Sequence, residues 1–239
     1  MLINAIALAS YASDLKPPAS SLKSPAMGEA LILLHGLWMP GPALGILRRR
    51  LQQDGFHVVP FAYPSVSASL HENVTRLDAL ARSLVGVERL HLVGHSLGGV
   101  IVLEFLRLIG DLPAGRAVLL GPPLRGSTAA RTIAHWPLGR SILGRGMCEA
   151  VLDHQCGAWD GRRDVGVIAG STGLGLGRLF AHLEGEHDGT VLVDETRLDG
   201  ICDHIVLPVT HTGMLASPRV EKQTAHFLRE GRFAHAREA

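Results

Sequence analysis

The chain has 239 residues, enough to bury one substantial core and within the range over which α/β proteins stay a single domain. Its 23 basic and 22 acidic residues leave a formal net charge of +1, so there is no single-sign field to capture nucleic acid or an anionic lipid surface. Three cysteines, Cys148, Cys156 and Cys202, fall short of a disulfide framework, and no CxxC pair points to zinc.

The chain opens on MLINAIALASYAS, an apolar run that ends in small residues. A secretory signal would place a basic residue ahead of such a run, and none precedes Lys16. It is also shorter than the roughly 20 apolar residues that cross a bilayer, and later apolar runs are broken by charges or glycines, so no transmembrane segment is expected. Residues 14–28, DLKPPASSLKSPAMG, gather proline, serine and lysine as irregular connectors do. The chain is therefore expected to divide into an N-terminal segment and connector over 1–28 and a folded domain over 29–239. The odd cysteine count and the missing basic residue favour a cytoplasmic location, while the apolar start leaves a secreted or periplasmic one open.

From Glu29 onward, strand-like and helix-like stretches alternate. LILLH at 31, HVVPF at 57, RLHLVG at 89, RAVLLG at 116, VGVIAG at 165 and DHIVLPV at 203 are short and largely apolar, as parallel strands covered on both faces are. Between them, residues 43–55 place Leu44, Leu47 and Leu51 at helical spacing and end on Gly55. Residues 70–86 repeat the pattern with Leu70, Val74, Leu77, Ala81 and Leu84. Further helices are expected over 100–110 and 217–231, the last opening near Ser217 and closing on Gly231. This alternation predicts an α/β fold with a doubly wound, mostly parallel sheet. Residues 124–164 are too long for a plain connection and are expected to carry a helix and part of a substrate wall.

Between two such stretches sits GHSLGG, residues 94–99. It contains GxSxG, a spacing with a steric reason: a serine on a sharp strand-to-helix turn needs Gly94 and Gly98 bare so that the backbones can pass. About 0.2 matches per chain of this composition arise by chance, so the context of strand before and helix after carries the weight. Ser96 is the candidate nucleophile, and the Leu97 N–H, freed at a helix start, could donate to an oxyanion. LILLHGLWM supplies a second donor, the Leu37 N–H, because Gly36 permits close approach. Trp38 and Met39 follow it and are candidates to wall the substrate pocket.

A base and its orienting acid should come later in the chain, in the order serine, carboxylate, histidine. His211 lies in THTGM, just after an apolar strand and before the last helix. His204, His226 and His235 suit exposed or structural roles, and His95, adjacent to the serine on a sharp turn, suits packing or hydrogen bonding. For the acid, Asp188 in EGEHDGTV precedes a glycine that lets the chain turn, with Glu184, Glu186, Asp164 and Asp194 as rivals. The Glu, His and Asp cluster could also be a solvated loop or a metal site. Against metal, no second histidine falls at helical ligand spacing. Neither metal nor organic cofactor is expected.

LILLHGLW, GHSLGG, LGPPLRGS, EHDGTV and THTGM together resemble the lipase and esterase branch of the α/β-hydrolase family, and are closest to small, nearly capless bacterial lipases. The resemblance implies Ser96 as nucleophile, Asp188 as acid, His211 as base, and the Leu37 and Leu97 amides as oxyanion donors. It implies a single domain with a short cap or none, acting on a small-molecule or lipid ester. PPLRGS lacks the histidine often found after the first proline in related lipases, so contacts at Leu124 and Arg125 are expected to differ. The same three groups would also serve an acyltransferase, thioesterase or amidase, and the fold could serve a binding protein without turnover. Against that last alternative stands the ordered triad, which a binding module has no reason to keep.

Overall fold

A computed structural model describes residues 28–39, 41–153, 156–174 and 183–235. Six strands form one sheet: β1 (Glu29–Leu34), β2 (His57–Phe61), β3 (Arg89–His95), β4 (Ala117–Leu120), β5 (Val165–Gly170) and β6 (Asp203–Leu207). They lie in the order β2-β1-β3-β4-β5-β6, and every neighbouring pair is parallel. Each of the six matches an apolar run read from the sequence. Pro60 falls in β2, the outer strand, opposite Leu33 of β1.

The alternation of side chains along each strand feeds two separate cores. Ile32, Leu34, Leu92 and Leu119 point into one cluster, while Leu31, Leu33, Val93 and Val118 point into the other. The first is covered by α2 (Leu70–Ser83) and α3 (Leu97–Leu108), which contribute Val74, Leu77, Ile101 and Phe105. The second is covered by α1 (Gly45–Gln53), through Leu47 and Leu51, and by α6 (Pro218–Glu230), through Val220 and Leu228. At roughly 1.5–3 kcal/mol for each buried leucine or isoleucine, these two faces drive the fold. A strand apolar on both sides is thus what a sheet with helices on both faces requires.

The caps follow from the residues at the helix ends. Ser69 and Glu72 form a reciprocal box at the start of α2: the Glu72 N–H donates to Ser69 Oγ at 3.0 Å, and the Ser69 N–H donates to Glu72 Oε2 at 2.7 Å. Ser217 caps α6, Pro218 occupies its first turn, and Gly231 ends it at φ 76°. Helix α3 begins at Leu97, three residues earlier than the apolar periodicity suggested, because Gly98 and Gly99 are helical without contributing to that pattern.

Between β4 and β5 lie two short helices, α4 (Thr128–Ala134) and α5 (Gly139–Leu143), then a turn that runs into a π-helical stretch over Cys148–Leu152. This segment forms a small cap over the carboxyl edge of the sheet. Bare glycines hold it close: a Cβ at Gly144 would stand 2.3 Å from the Val66 carbonyl oxygen, in the loop before α2.

Because the chain passes from β1 outward to β2 and then returns to β3 on the other side of β1, the helices that follow β1 and β3 leave on opposite faces. The carboxyl ends of β1 and β3 therefore flank the crevice where doubly wound sheets bind ligands. Among the described residues, no helix is long and apolar enough to cross a membrane.

Candidate active site

Ser96 lies between the end of β3 and the start of α3, at φ 53° and ψ −122°, a positive-φ conformation that few side chains adopt. The glycines around it show why the turn can be made. A Cβ on Gly94 would lie 2.4 Å from the Gly98 carbonyl oxygen, and one on Gly98 would lie 2.5 Å from the His35 carbonyl oxygen. The end of β3, the start of α3 and the end of β1 are thus in backbone contact.

That contact brings Gly36 beside the serine: a Cβ at Gly36 would sit 3.1 Å from Ser96 Cβ. Upstream, the loop is pinned by Tyr63, whose hydroxyl donates to the His35 carbonyl at 2.6 Å and whose ring stacks on His35 at 4.3 Å. Leu97 is the first residue of α3, so its N–H has no acceptor within the helix. Among the described residues, the Leu37 N–H has no hydrogen-bond acceptor either.

The histidine and the carboxylate meet across the ends of β5 and β6. His211 Nδ1 lies 2.7 Å from Asp188 Oδ2, and the His211 N–H donates to the Asp188 carbonyl at 2.8 Å. Asp188 Oδ1 accepts from the Thr190 and Val191 N–H groups at 2.9 and 2.8 Å. Burial alone would push the Asp188 carboxyl up, but the His211 ring and the two backbone donors outweigh it and hold the group below the usual carboxylate range. An ionised Asp188 fixes the proton on Nδ1 of His211, which leaves a lone pair on Nε2.

Of the rival carboxylates, Asp164 pairs with Arg116 away from the site, and Glu184, Glu186 and Asp194 are exposed. Elsewhere, His204 is held by Thr196 Oγ1 at 2.9 Å and His235 by Asp203. His95 is buried beside the site: its Nε2–H donates to the His211 carbonyl at 2.9 Å, and its ring lies 4.6 Å from the His211 ring. Burial drives its pKa down to about 3, so it stays neutral.

Ser96, His211, Gly36, Leu37, Trp38 and Met39 share the wall of one cavity of about 280 Å³. Its other lining comes chiefly from the cap, where Ala129, Ala130, Ile133, Leu143 and Met147 make it apolar. Residues 124–164 thus carry the expected helix, and α4 and α5 line this cavity. Leu124 is buried in the core, whereas Arg125 turns outward to Asp199. Among the described residues, no group of three or more His, Cys, Asp or Glu side chains could hold a metal ion.

Two residues that shape the site are not evident from the sequence. Gly121, at φ 57° just past β4, leaves the space in which the pair sits: a Cβ there would be 3.1 Å from His211 Nδ1 and 3.2 Å from Asp188 Oδ2. Gly170, at the end of β5, does the same, since its Cβ would lie 2.7 Å from Asp188 Cβ. The signal available was positional, because both glycines directly end apolar runs, as Gly36 nearly does.

Residues 31–202 match the model of a family described as the alpha/beta hydrolase family. No curated protein matches the sequence. Among solved structures, the chain is similar to a Bacillus licheniformis lipase in its propeptide form, at 16% identity and a TM-score of 0.69, covering 92% of this chain and 54% of that one. The chain therefore spans about half the length of that lipase. A thermophilic esterase from Thermogutta terrifontis aligns at 16% identity and a TM-score of 0.58 over 86% of this chain and 91% of that one. A NocB thioesterase domain in covalent complex with a fluorophosphonate nocardicin G analogue aligns at 20% identity and a TM-score of 0.53, over 86% and 95% of the two chains.

Proposed function

This chain belongs to the alpha/beta hydrolase family, and on that footing we propose that it is a serine hydrolase that cleaves carboxylic esters through an acyl-enzyme. The observation that carries the reading is the buried 2.7 Å contact between His211 and Asp188 on a cavity whose wall also holds Ser96 at its strained turn.

In this reading His211 Nε2 takes the proton of Ser96 as Oγ attacks the ester carbonyl carbon. The carbonyl electrons move to oxygen, and the resulting anion accepts hydrogen bonds from the Leu37 and Leu97 N–H groups. The tetrahedral species collapses, the bond from carbon to the alkoxy oxygen breaks, and His211 gives its proton to the departing alcohol. Water then attacks the acyl-serine by the same path, its proton passing through His211 to Ser96 Oγ as the acid leaves. Asp188 keeps its negative charge throughout and stabilises the imidazolium. The apolar lining of the cavity suits an acyl chain rather than a charged substituent.

The reading is tested by labelling with a fluorophosphonate probe and by hydrolysis of p-nitrophenyl esters of graded length. The wild-type protein should label at Ser96 and turn over esters, and Ser96→Ala should do neither. A folded wild-type protein that resists the probe would overturn the proposal.

A further inference from the structure

Three non-glycine residues among those described have positive φ: Ser96, Trp38 at 55° and Leu138 at 62°. The turn at Ser96 has its reason in the serine. Trp38 has none in packing, since it is 51% exposed. Its indole N–H does have a partner: it donates at 3.0 Å to the Ile142 carbonyl, 104 residues away in the cap helix α5.

We infer that Trp38 is a positioning residue whose bond to α5 holds the Leu37 N–H in place as an oxyanion donor. This rests on the serine-hydrolase reading above. The Leu37 peptide lies between two anchors. Upstream, Tyr63 holds the His35 carbonyl and Gly36 abuts Ser96. Downstream, the chain turns at Trp38 in a conformation that costs free energy for any L-residue with a side chain, and so persists only when something external holds it. The indole bond is that hold. Without it the turn can relax toward negative φ, and the neighbouring Leu37 amide loses its direction.

The acceptor lies on the helix that walls the cavity. Leu143, next to Ile142, lines the same space as Ser96. An acyl chain that packs against Leu143 therefore steadies the helix that steadies Trp38. Chain length should accordingly act on kcat as well as on KM, because filling the cavity improves a contact made in the transition state. A Trp38 that merely walled the cavity would act on KM instead.

Two variants and one chemical probe decide between these roles. Trp38→Phe keeps an aromatic ring and loses the N–H; Trp38→Gly loses the indole but suits the positive φ. Both should label with an alkyl fluorophosphonate about tenfold more slowly than wild type, because the phosphoryl oxygen needs the same amides. Both should also lower kcat on p-nitrophenyl butyrate by about tenfold while KM stays within roughly twofold, and the rise of kcat with acyl length should flatten. If Trp38→Phe labels as fast as wild type, or raises KM at unchanged kcat, the proposal is overturned and the serine reading stands. If Trp38→Phe fails to fold, the same two measurements on Trp38→Gly decide alone. A wild-type protein that does not label refutes the underlying reading, a result distinct from either.

Discussion

His91 and His95 stand on the same strand, β3, each only 1% exposed. Toward the amino end, His91 has both ring nitrogens engaged: Nε2 meets Glu29 Oε1 at 2.6 Å, and Nδ1 accepts from the Arg116 N–H at 3.0 Å. Toward the carboxyl end, His95 gives its Nε2–H to the His211 carbonyl and leaves Nδ1 without a partner among the described residues. Their surroundings differ in the same way. Near His91, the Arg116 guanidinium binds Asp164 and two carbonyls at the end of α6, and Arg163 binds the Leu90 and Pro113 carbonyls. Near His95, the Leu37 and Leu97 amides have no acceptor among the described residues, and Ser96 holds a strained turn. One end of the sheet commits its polar groups to tying the chain together. The other keeps some uncommitted, which is what a site needs if a substrate is to satisfy them.

The sharpest way to break the carboxyl end is Asp188→Asn, which keeps the size of the side chain and loses the charge that fixes the His211 tautomer. We expect a loss of about 10⁴-fold in kcat on p-nitrophenyl esters with a melting temperature within a few degrees of wild type. Retention of a tenth of the activity would remove Asp188 from the mechanism. Gly121→Ala comes next: its methyl group would press on the same pair within 3.1–3.2 Å at a positive φ. A displacement of this kind should cost on the order of 100-fold in kcat, measured in the same assay.

The two histidines supply the direct contrast. His91→Phe leaves the Arg116 N–H and Glu29 without their partner and should cost about 1–3 kcal/mol in urea unfolding, with kcat unchanged. His95→Phe removes the donor to the His211 carbonyl and should lower kcat by roughly tenfold through the base loop. Equal effects of both variants on kcat would erase the distinction between the two ends.

The smallest effect per unit is a dependence of stability on pH. Burial lowers His95 to about 3 and His204 to about 4 from an ordinary value of 6.5. Between these lowered values and 6.5 the unfolded chain binds protons on the two histidines that the folded chain refuses, so their contribution to stability is full above pH 6.5 and is lost as pH drops through the window. For the fully buried His95 the slope approaches about 1.4 kcal/mol per pH unit. Melting curves from pH 7 to 4 should show the decline, and His95→Phe should show a shallower one.

The six strands were legible because each is short and largely apolar, and the long helices because their leucines recur at helical spacing or their ends carry Ser and Gly. The cap was not, because α4 and α5 are too short for any period to declare itself; Ser127, whose Oγ accepts from the Ala130 N–H at 3.1 Å, is the one local signal. In the site, the order of Ser96, Asp188 and His211 along the chain could be read; the structure places Ser96 and His211 on the wall of one cavity, with Asp188 buried behind the His211 ring. Two links could not be read. The bond from Trp38 to Ile142 and that from His95 to the His211 carbonyl span 104 and 116 residues, and nothing near either donor names its acceptor.

Pro60 in β2 has a consequence outside the site. A strand at the margin of a sheet offers a row of N–H and carbonyl groups on which another molecule's strand can add itself. Proline brings no N–H, so at that row an arriving strand finds a missing rung. β6 forms the other margin and opens on the charged Asp203, with Pro208 directly after its end. Among the described residues, both margins of the sheet thus carry a feature that discourages growth by edge-to-edge pairing.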